Sequence, residues 1–414
     1  MDGAFSPHAM RELDVCCSGR RPWLSGATER CFGKLPAVVQ RGASNLYFAA
    51  IESALSIPPW DDQLQVAIGE YWAQILSAPT PEHRAKVVEL ILMPIWEGPE
   101  TPDELKQKND DRIALLNAQT PDMLRFQEYL TLKTTQNTTE EKSELFLRFE
   151  PLPEGLRQHV GHITQVARLR EVRALYGFSR INPPSGPMGK AKVTPLSKSP
   201  KHWLPAVEVR GEGIFITLAE ERLREWEARE PVRRRAAALD HQNRQEIRER
   251  LGDDAEPRFP ITARYVLIHT LSHLLMRELA LECGYSTSSL RERLYVDAGE
   301  LGMCGVLIFT ATSDADGTLG GLVQQGRPDR IEALVRSAVD GARWCSSDPL
   351  CMTGIVSLSN GLNGAACHSC TLAPETSCET FNHFLDRALI VGIPGDERLQ
   401  EDQQVGFFAD LFPH

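Results

Sequence analysis

The spacing of apolar residues in the first half of the chain predicts helices. Apolar residues recur every three or four positions in four stretches, residues 66–75, 82–95, 122–132 and 161–176. This is the pattern of helices that bury one face. Pro81 and Pro94 bound the second stretch, where proline is compatible with a helix start and an end. We therefore expect a helical domain over residues 61–180.

A second group of helices is predicted beyond residue 220. Residues 261–283 form the most apolar stretch, and the other three stretches are residues 220–250, 328–343 and 379–389. Residues 290–296 are interpreted as the end of a helix. The uninterrupted apolar run Val306–Phe309 predicts a buried strand. Residues 207–216 alternate in polarity around Gly211 and Gly213, which predicts a hairpin.

These elements predict a mixed α/β (α+β) fold. We expect a helical N-terminal half and a C-terminal α/β domain with a cysteine-rich zinc site. Proline and lysine are concentrated over residues 179–205, which favours a linker. Four segments are predicted. Residues 1–60 are a cysteine-containing start and residues 61–180 a helical domain. Residues 181–260 hold a linker, a hairpin and a charged helix, and residues 261–414 form a zinc-binding domain.

Composition narrows the class of protein. The chain has 414 residues, a formal charge of −11 and ten cysteines. We expect a cytoplasmic protein without a membrane span, because no apolar run is long enough and no signal peptide is recognisable. Cysteines in such a protein favour thiols and metal over disulfides. The negative charge restricts nucleic-acid contact to local basic patches or to a partner.

Five of the ten cysteines lie close together near the C-terminus, and they are Cys345, Cys351, Cys367, Cys370 and Cys378. A C-x-x-C pair with further cysteines nearby is typical of zinc binding, because two thiolates from one tight turn can share a tetrahedral ion. Cys367, Cys370 and Cys378 are the expected ligands, with Cys351 or Cys345 as the fourth. Four protein ligands would make the zinc structural. Plain burial or disulfides are the alternatives.

Two other groups are weaker candidates for metal binding. Cys16, Cys17 and Cys31 could supply three ligands of a second zinc, with His8 as the nearby candidate for a fourth. His269 and His273 share one helix face, but the residue after the first histidine is threonine, whereas zinc metalloproteases have glutamate there. We expect these histidines to be core residues with hydrogen-bond partners.

Basic residues mark candidate contacts to DNA phosphates. Lys190, Lys192, Lys198 and Lys201 lie in the predicted linker, and Arg233, Arg234 and Arg235 lie in the charged helix. Local basic patches attract phosphate even in an acidic protein. A plain solvated surface explains such residues equally well.

Several short motifs resemble a known family. They are His269–Leu275, Leu281–Ser286, Ser289–Arg293, Thr318–Gly321, Trp344–Cys351, Asn363–Cys370 and Pro374–Cys378. Together they resemble the MrfA-type zinc-binding (MZB) domain. More narrowly, they resemble the DrmB family, subunits of the bacterial DISARM anti-phage system, as do residues 40–48 and 171–181.

The resemblance implies a non-catalytic accessory subunit. Such a subunit pairs with a helicase-like ATPase, DrmA, and the pair engages invading DNA, with no small-molecule substrate. Relatives are longer at the N-terminus, so the site of Cys16, Cys17 and Cys31 can have ligands outside this numbering. Two other classes stay open. One is a metal-dependent nuclease or phosphoesterase that uses His269, His273, Asp314 and Asp316. The other is a zinc transcription regulator, although the recognition helix that this class needs is not recognisable.

Overall fold

A computed structural model describes most of the C-terminal two thirds of the chain and parts of the first third. The described residues are 21, 23–24, 48–57, 77–78, 80–87, 89–90, 101, 104, 107, 120–133, 144–179, 193–201, 203–310, 321–353, 361–393 and 405–411. Several predictions lie outside them: the helix over 66–75, Cys16, Cys17, Cys31 and His8, and also Lys190, Lys192, Asp314 and Asp316.

Helices and strands are interspersed along the described residues, which confirms a mixed α and β fold. The strands are β1 (Phe48–Leu55), β2 (Phe146–Phe149), β3 (Val160–Ser179), β4 (Thr194–Pro195), β5 (Ala206–Leu218), β6 (Leu290–Val296) and β7 (Cys304–Thr310). The helices are α1 (Pro81–Val87), α2 (Pro121–Leu132), α3 (Glu220–Glu227), α4 (Glu230–Leu251), α5 (Ala263–Cys283), α6 (Gly321–Gln324), α7 (Pro328–Gly341) and α8 (Ala388–Val391).

The strands form one seven-stranded sheet. Its main order is β1-β3-β5-β7-β6, and β2 and β4 also pair with β3. The pairs β2–β3, β3–β4, β5–β7 and β6–β7 are antiparallel. Phe215 of β5 lies opposite Leu307 of β7, and Glu292 of β6 lies opposite Ile308 of β7. Every residue of β7 is buried, as expected for a strand covered on both faces.

The chain divides into two compact units. One comprises Met1–Ser53, Arg173–Val207 and His241–Pro260. Within it, the Trp23 ring packs 5.2 Å from that of Phe178. The other comprises Ala54–Val172, Glu208–Asp240 and Ile261–His414, and it contains the cysteine-rich tail. The four segments expected from the sequence stay a prediction.

The predicted helical first half is not supported. Helices α1 and α2 are present, and Thr120 caps α2 by accepting a hydrogen bond from the Met123 N–H at 3.2 Å. However, residues 161–176, predicted to be helical, lie in the strand β3. Its apolar residues recur every three positions, but its neighbours are other strands. Pairing with residues far away in sequence overrides the local preference here.

The predicted hairpin over residues 207–216 is also wrong, since these residues belong to the single strand β5. Gly211 and Gly213 do not turn the chain. A Cβ atom would lie 2.2 Å from the Thr310 carbonyl oxygen at Gly211, and 2.5 Å from that of Ile308 at Gly213. The two glycines therefore allow β5 to approach β7 closely, because glycine has no side chain to clash.

Two interpretations near the C-terminus also change. Residues 290–296 form a strand, not a helix end. The helix expected over 379–389 is replaced by irregular turns, with only the short α8 at its end. Phe381, Asn382 and Phe384 have positive φ angles of 54°, 62° and 65°, which a right-handed helix does not allow.

Helix α5 is the central element of the second unit. It is buried continuously from Ala263 to Met276, as expected for a helix that is apolar all round. Thr262 caps its start by accepting from the Tyr265 N–H at 3.2 Å. Gly284 ends it in the left-handed region at φ 71°. Among the helices that the structure describes, none is long and apolar enough to cross a membrane.

A buried ion pair lies inside the core between α2 and the sheet. The Glu128 carboxylate accepts from Arg293 at 2.7 and 2.8 Å, from the Tyr295 hydroxyl at 3.1 Å and from the Leu55 N–H at 2.9 Å. The surrounding side chains include Tyr129, a neighbour of Glu128 on α2. Burial lowers the pKa of Arg293, but the Glu128 carboxylate raises it by more, so the pKa lies above its usual value. Glu128 therefore joins α2, β1 and β6.

We expect Glu128→Ala to destabilise the protein by about 3–5 kcal/mol, because Arg293 would be left as an uncompensated buried charge. The measurement is the shift of the denaturant unfolding midpoint. Glu208→Ala is the control, since Glu208 is 56% exposed in its pair with Arg170 and such pairs contribute about 0–1 kcal/mol. Equal shifts for the two variants would contradict the role given to Glu128.

Candidate metal centre

Four cysteines converge in the tail after α7. They are Cys345, Cys351, Cys367 and Cys370, and all are buried. Cys367 and Cys370 share a tight turn, in which the N–H groups of Cys370 and Thr371 donate to the Cys367 carbonyl at 3.2 and 3.0 Å. This turn places two thiols side by side, as the C-x-x-C spacing predicts.

The sulfur distances fit a tetrahedral zinc ion. The Sγ atoms are 3.4 Å apart for Cys345 and Cys367, 3.7 Å for Cys351 and Cys370, and 3.7 Å for Cys367 and Cys370. Zn–S bonds of about 2.3 Å in a tetrahedron separate the sulfurs by about 3.8 Å. A disulfide would bring two sulfurs to about 2.05 Å, and these four cysteines are free thiols.

Side chains around the cluster hold the loop in place. The Asp348 carboxylate accepts from the N–H groups of Cys345 and Met352 at 2.9 and 3.1 Å. It also pairs with the buried Arg387, which donates to the Ala342 carbonyl at 2.8 Å. These contacts fix the positions of the Cys345 and Cys351 thiols from outside, as groups around metal ligands commonly do.

The electrostatics of the cluster favour a cation at its centre. Burial and the neighbouring Cys370 raise the pKa of Cys351 far above its usual value. For Cys367, burial raises the pKa, but hydrogen bonds from the Cys345 thiol and the Ser369 N–H lower it to about 7. Four thiolates this close repel one another, so they can all be ionised only around a positive ion. Zinc with four such ligands has no open position for water.

The fifth cysteine of the tail lies elsewhere. Cys378 was expected with Cys367 and Cys370, and the structure places it beside His269, His273 and Glu292. The four ligand atoms of this second cluster lie within 4.8 Å of one another. Cys345 and Cys351, between which the spacing did not choose, both lie in the first cluster.

Three elements build the second cluster, and all four side chains are buried. His269 and His273 are on α5, Glu292 is on β6, and Cys378 is in the tail. His269 Nε2 lies 3.2 Å from Cys378 Sγ and 3.1 Å from Glu292 Oε1. His273 Nε2 lies 3.7 Å from the same carboxylate oxygen. Both histidines are buried with hydrogen-bond partners, as expected: His269 contacts the thiol and the carboxylate, and His273 Nδ1 lies 3.0 Å from the Thr371 carbonyl oxygen.

In the second cluster, attraction between the two histidines and the acidic groups of Cys378 and Glu292 shifts the pKa values of all of them. Burial lowers the pKa of His273, but Cys378 and Glu292 raise it to about 9. Burial and the Glu292 charge raise the pKa of Cys378, but His269 and His273 lower it to about 7. The carboxyl of Glu292 is held well below its usual pKa by the two histidines, against the effect of burial.

The candidate DNA contacts have different surroundings. Lys198 and Lys201 are exposed. Arg233 and Arg234 are also exposed and pair with Glu230 on their own helix. Arg235 is three-quarters buried and pairs with the buried Asp386, so its charge is used inside the fold.

Sequence reasoning missed several residues that shape the site. They are Glu292, Asp348, Thr371, Asp386 and Arg387. Glu292 gave no signal, because a charged residue in a strand usually faces solvent. The Asp386-Arg387 pair could have been noticed as two charged residues among apolar ones, but the partners of both residues are distant in sequence.

Comparisons with known proteins agree with this geometry. The family model described as the MrfA Zn-binding domain matches residues 271–371. All four cysteines of the first cluster lie in that range, whereas His269 and Cys378 lie outside it. The chain is also 31% identical over 397 residues to the DISARM protein DrmB of Bacillus paralicheniformis (strain ATCC 9945a / NCIMB 11709 / CD-2), covering 91% of this chain and 67% of that protein. The cofactor of this domain is Zn²⁺.

We expect Cys367→Ser to remove one zinc ion per chain and to unfold the tail, because structural zinc contributes about 10–16 kcal/mol of folding free energy in small domains. Metal analysis and limited proteolysis of the tail measure the two effects. Cys283→Ser is the control, since Cys283 is half-buried outside both clusters. Unchanged zinc in Cys367→Ser would refute the four-thiolate site.

Proposed function

Because the chain belongs to the DrmB family, we propose that it is a non-catalytic, zinc-binding subunit of a DISARM anti-phage complex. In that complex it partners a helicase-like ATPase of the DrmA kind and helps to bind foreign DNA. Its own part is to brace the ATPase with a rigid surface and to complete a channel for DNA. The zinc-binding tail is the proposed rigid part.

The observation that carries this proposal is the closed coordination of the first cluster. Four thiols surround one position, so a zinc ion there has no place for a reacting water or substrate. Catalytic zinc instead keeps one open position. A closed zinc site holds a shape, and a fixed shape is what an accessory subunit offers a motor protein.

Contact with DNA is proposed at local basic residues. The net charge of −11 disfavours DNA binding over the whole surface. Lys198 and Lys201 are exposed in one unit, and Arg233 and Arg234 are exposed in the other. Lys190 and Lys192, outside the described residues, belong to the same basic segment as Lys198. The remaining acidic surface suits a basic partner protein.

The alternative of a metal-dependent nuclease or phosphoesterase is disfavoured by burial. The side chains of His269 and His273 are 0% exposed, so a phosphodiester cannot reach them in this conformation. Their neighbours are Glu292 and Cys378, and Asp314 and Asp316 lie outside the described residues. The proposal therefore assigns ATP hydrolysis to the partner and no reaction to this chain.

We expect the chain to co-purify with the helicase-like ATPase encoded beside it, because a bracing subunit needs a stable interface with the motor. The measurement is co-elution on size exclusion after affinity capture of either protein. The purified chain alone should give no divalent-dependent DNA cleavage. Separate elution of the two proteins would refute the partnership, and cleavage that tracks the chain would favour the nuclease.

Charge reversal tests the basic segment. We expect Lys198→Glu with Lys201→Glu to weaken DNA binding by the complex and to flatten its salt dependence. Each lost phosphate contact removes about 0.9 from the slope of log affinity against log salt. Adding Lys190→Glu and Lys192→Glu should enlarge both effects.

The matched control reverses Lys86 and Arg157, two exposed residues outside the candidate patches, with the same change of net charge. Binding is measured by fluorescence anisotropy over a salt series. An unchanged slope in the Lys198 and Lys201 variant would exclude this segment, and an equal effect of the control would indicate net charge alone.

A further inference from the structure

We propose that His269, His273, Glu292 and Cys378 bind a second zinc ion, which has a structural role and is separate from the four-cysteine site. The inference goes beyond the proposed function, which requires only the first cluster. Two of the four residues, His269 and Cys378, also lie outside the matched zinc-binding domain.

Three of the distances between the ligand atoms are close to those of a tetrahedral site. A zinc ion with Zn–N and Zn–O bonds of about 2.0–2.2 Å and a Zn–S bond of about 2.3 Å separates its ligand atoms by about 3.3–3.6 Å. The observed separations from His269 Nε2 are 3.1 Å to Glu292 and 3.2 Å to Cys378. The His273 Nε2 to Glu292 separation is 3.7 Å.

Hydrogen bonding orients His273 for metal binding. Its Nδ1 lies 3.0 Å from the Thr371 carbonyl oxygen, which can only accept a hydrogen bond, so Nδ1 carries the proton. In the neutral ring Nε2 then has its lone pair directed into the cluster. A histidine ligand that donates its other N–H to a carbonyl is the usual arrangement at zinc sites.

Three buried atoms of the cluster residues lack hydrogen-bond partners among the residues that the structure describes, namely His269 Nδ1, His273 Nε2 and Glu292 Oε2. A buried polar atom without a partner is costly. One zinc ion bound by Glu292 Oε1 would give His273 Nε2 a ligand bond. It would also balance the charge, because a thiolate and a carboxylate neutralise the dication while both imidazoles stay neutral.

Backbone N–H groups support the two anionic ligands. Cys378 Sγ accepts from the N–H groups of Thr380 and Asn382 at 3.4 and 3.2 Å. Glu292 Oε1 accepts from the Glu379 N–H at 3.0 Å. Such donors favour a thiolate and a carboxylate over their protonated forms, and these are the forms that bind metal.

The ligand types point to zinc. Magnesium and calcium prefer sites made of oxygen ligands alone, whereas zinc combines imidazole, thiolate and carboxylate in tetrahedral sites. With four buried protein ligands, no position remains for a reacting water. The ion would join α5, β6 and the tail, three elements that are distant in sequence.

Metal analysis of single variants tests the proposal. The full chain is purified with Cys16, Cys17 and Cys31 changed to serine, so that zinc held by those residues does not enter the count. We expect Cys378→Ala and His273→Asn each to lose one zinc per chain relative to this background. Cys367→Ser should lose the other zinc, and the combination with Cys378→Ala should lose both.

The controls match the burial of the changed residues. Cys304→Ala and His162→Asn alter a buried cysteine and a buried histidine outside both clusters, and they should keep all the zinc. Full zinc content in Cys378→Ala and His273→Asn would overturn the proposal and leave a metal-free cluster of ion pairs.

If the ligand variants fail to fold, X-ray absorption at the zinc edge of the background chain tests whether the second cluster binds zinc. In the background chain we expect scattering from sulfur together with nitrogen or oxygen, and an outer shell typical of imidazole. Scattering from sulfur alone would overturn the proposal while leaving the four-cysteine site intact. A different metal bound by the same residues would overturn the assignment to zinc.

Discussion

The tail of the protein depends on side chains to satisfy its buried backbone. Residues 361–393 contain only the short helix α8, so most of their N–H and C=O groups have no regular ladder, although buried groups need partners. Asp386 accepts from the N–H groups of Ala365 and Ala388 at 3.0 and 3.1 Å. Asn363 accepts from the Leu385 N–H at 2.8 Å and donates to the Asn382 carbonyl at 2.7 Å. Metal ligation extends this way of holding an irregular chain, because one ion fixes four side chains at once.

The two clusters are connected through one residue. Thr371 donates from its hydroxyl to Cys370 Sγ at 3.1 Å, and its carbonyl lies 3.0 Å from His273 Nδ1. The four-cysteine cluster is thereby linked to α5, the most buried helix of its unit. Asp386 provides a further link, since its N–H donates to the Thr270 hydroxyl at 2.9 Å. The tail therefore contacts α5 at successive residues of one helix face, which explains why so many of its residues are buried without regular structure.

Features set by nearby residues were predictable, and features set by distant partners were not. Helices α5 and α7 follow from apolar spacing and from Thr262 or Pro328 at their starts. The C-x-x-C turn follows from local chemistry. Strand β3 was mistaken for a helix because its partners are other strands of the sheet. Gly211 was mistaken for a turn residue, whereas glycine is needed there because the Thr310 backbone lies so close. Cys378 was misplaced for the same reason. Spacing shows that a cysteine is near others in sequence, but it does not show that Cys378 contacts His269 on α5.

Both side-chain clusters hold parts of the fold together. A catalytic centre needs access for substrate and one group free to react, whereas both clusters here are buried and made of mutually engaged side chains. Arg235 also contributes to holding the tail, because its partner Asp386 accepts hydrogen bonds from two backbone N–H groups of the tail. Helix α4 is thereby attached to the metal-binding region through the charge of Arg235. Arg233 and Arg234 stay exposed on the same helix. Neighbouring residues of α4 thus differ in role, because Arg235 holds the helix to the tail whereas Arg233 and Arg234 lie at the surface.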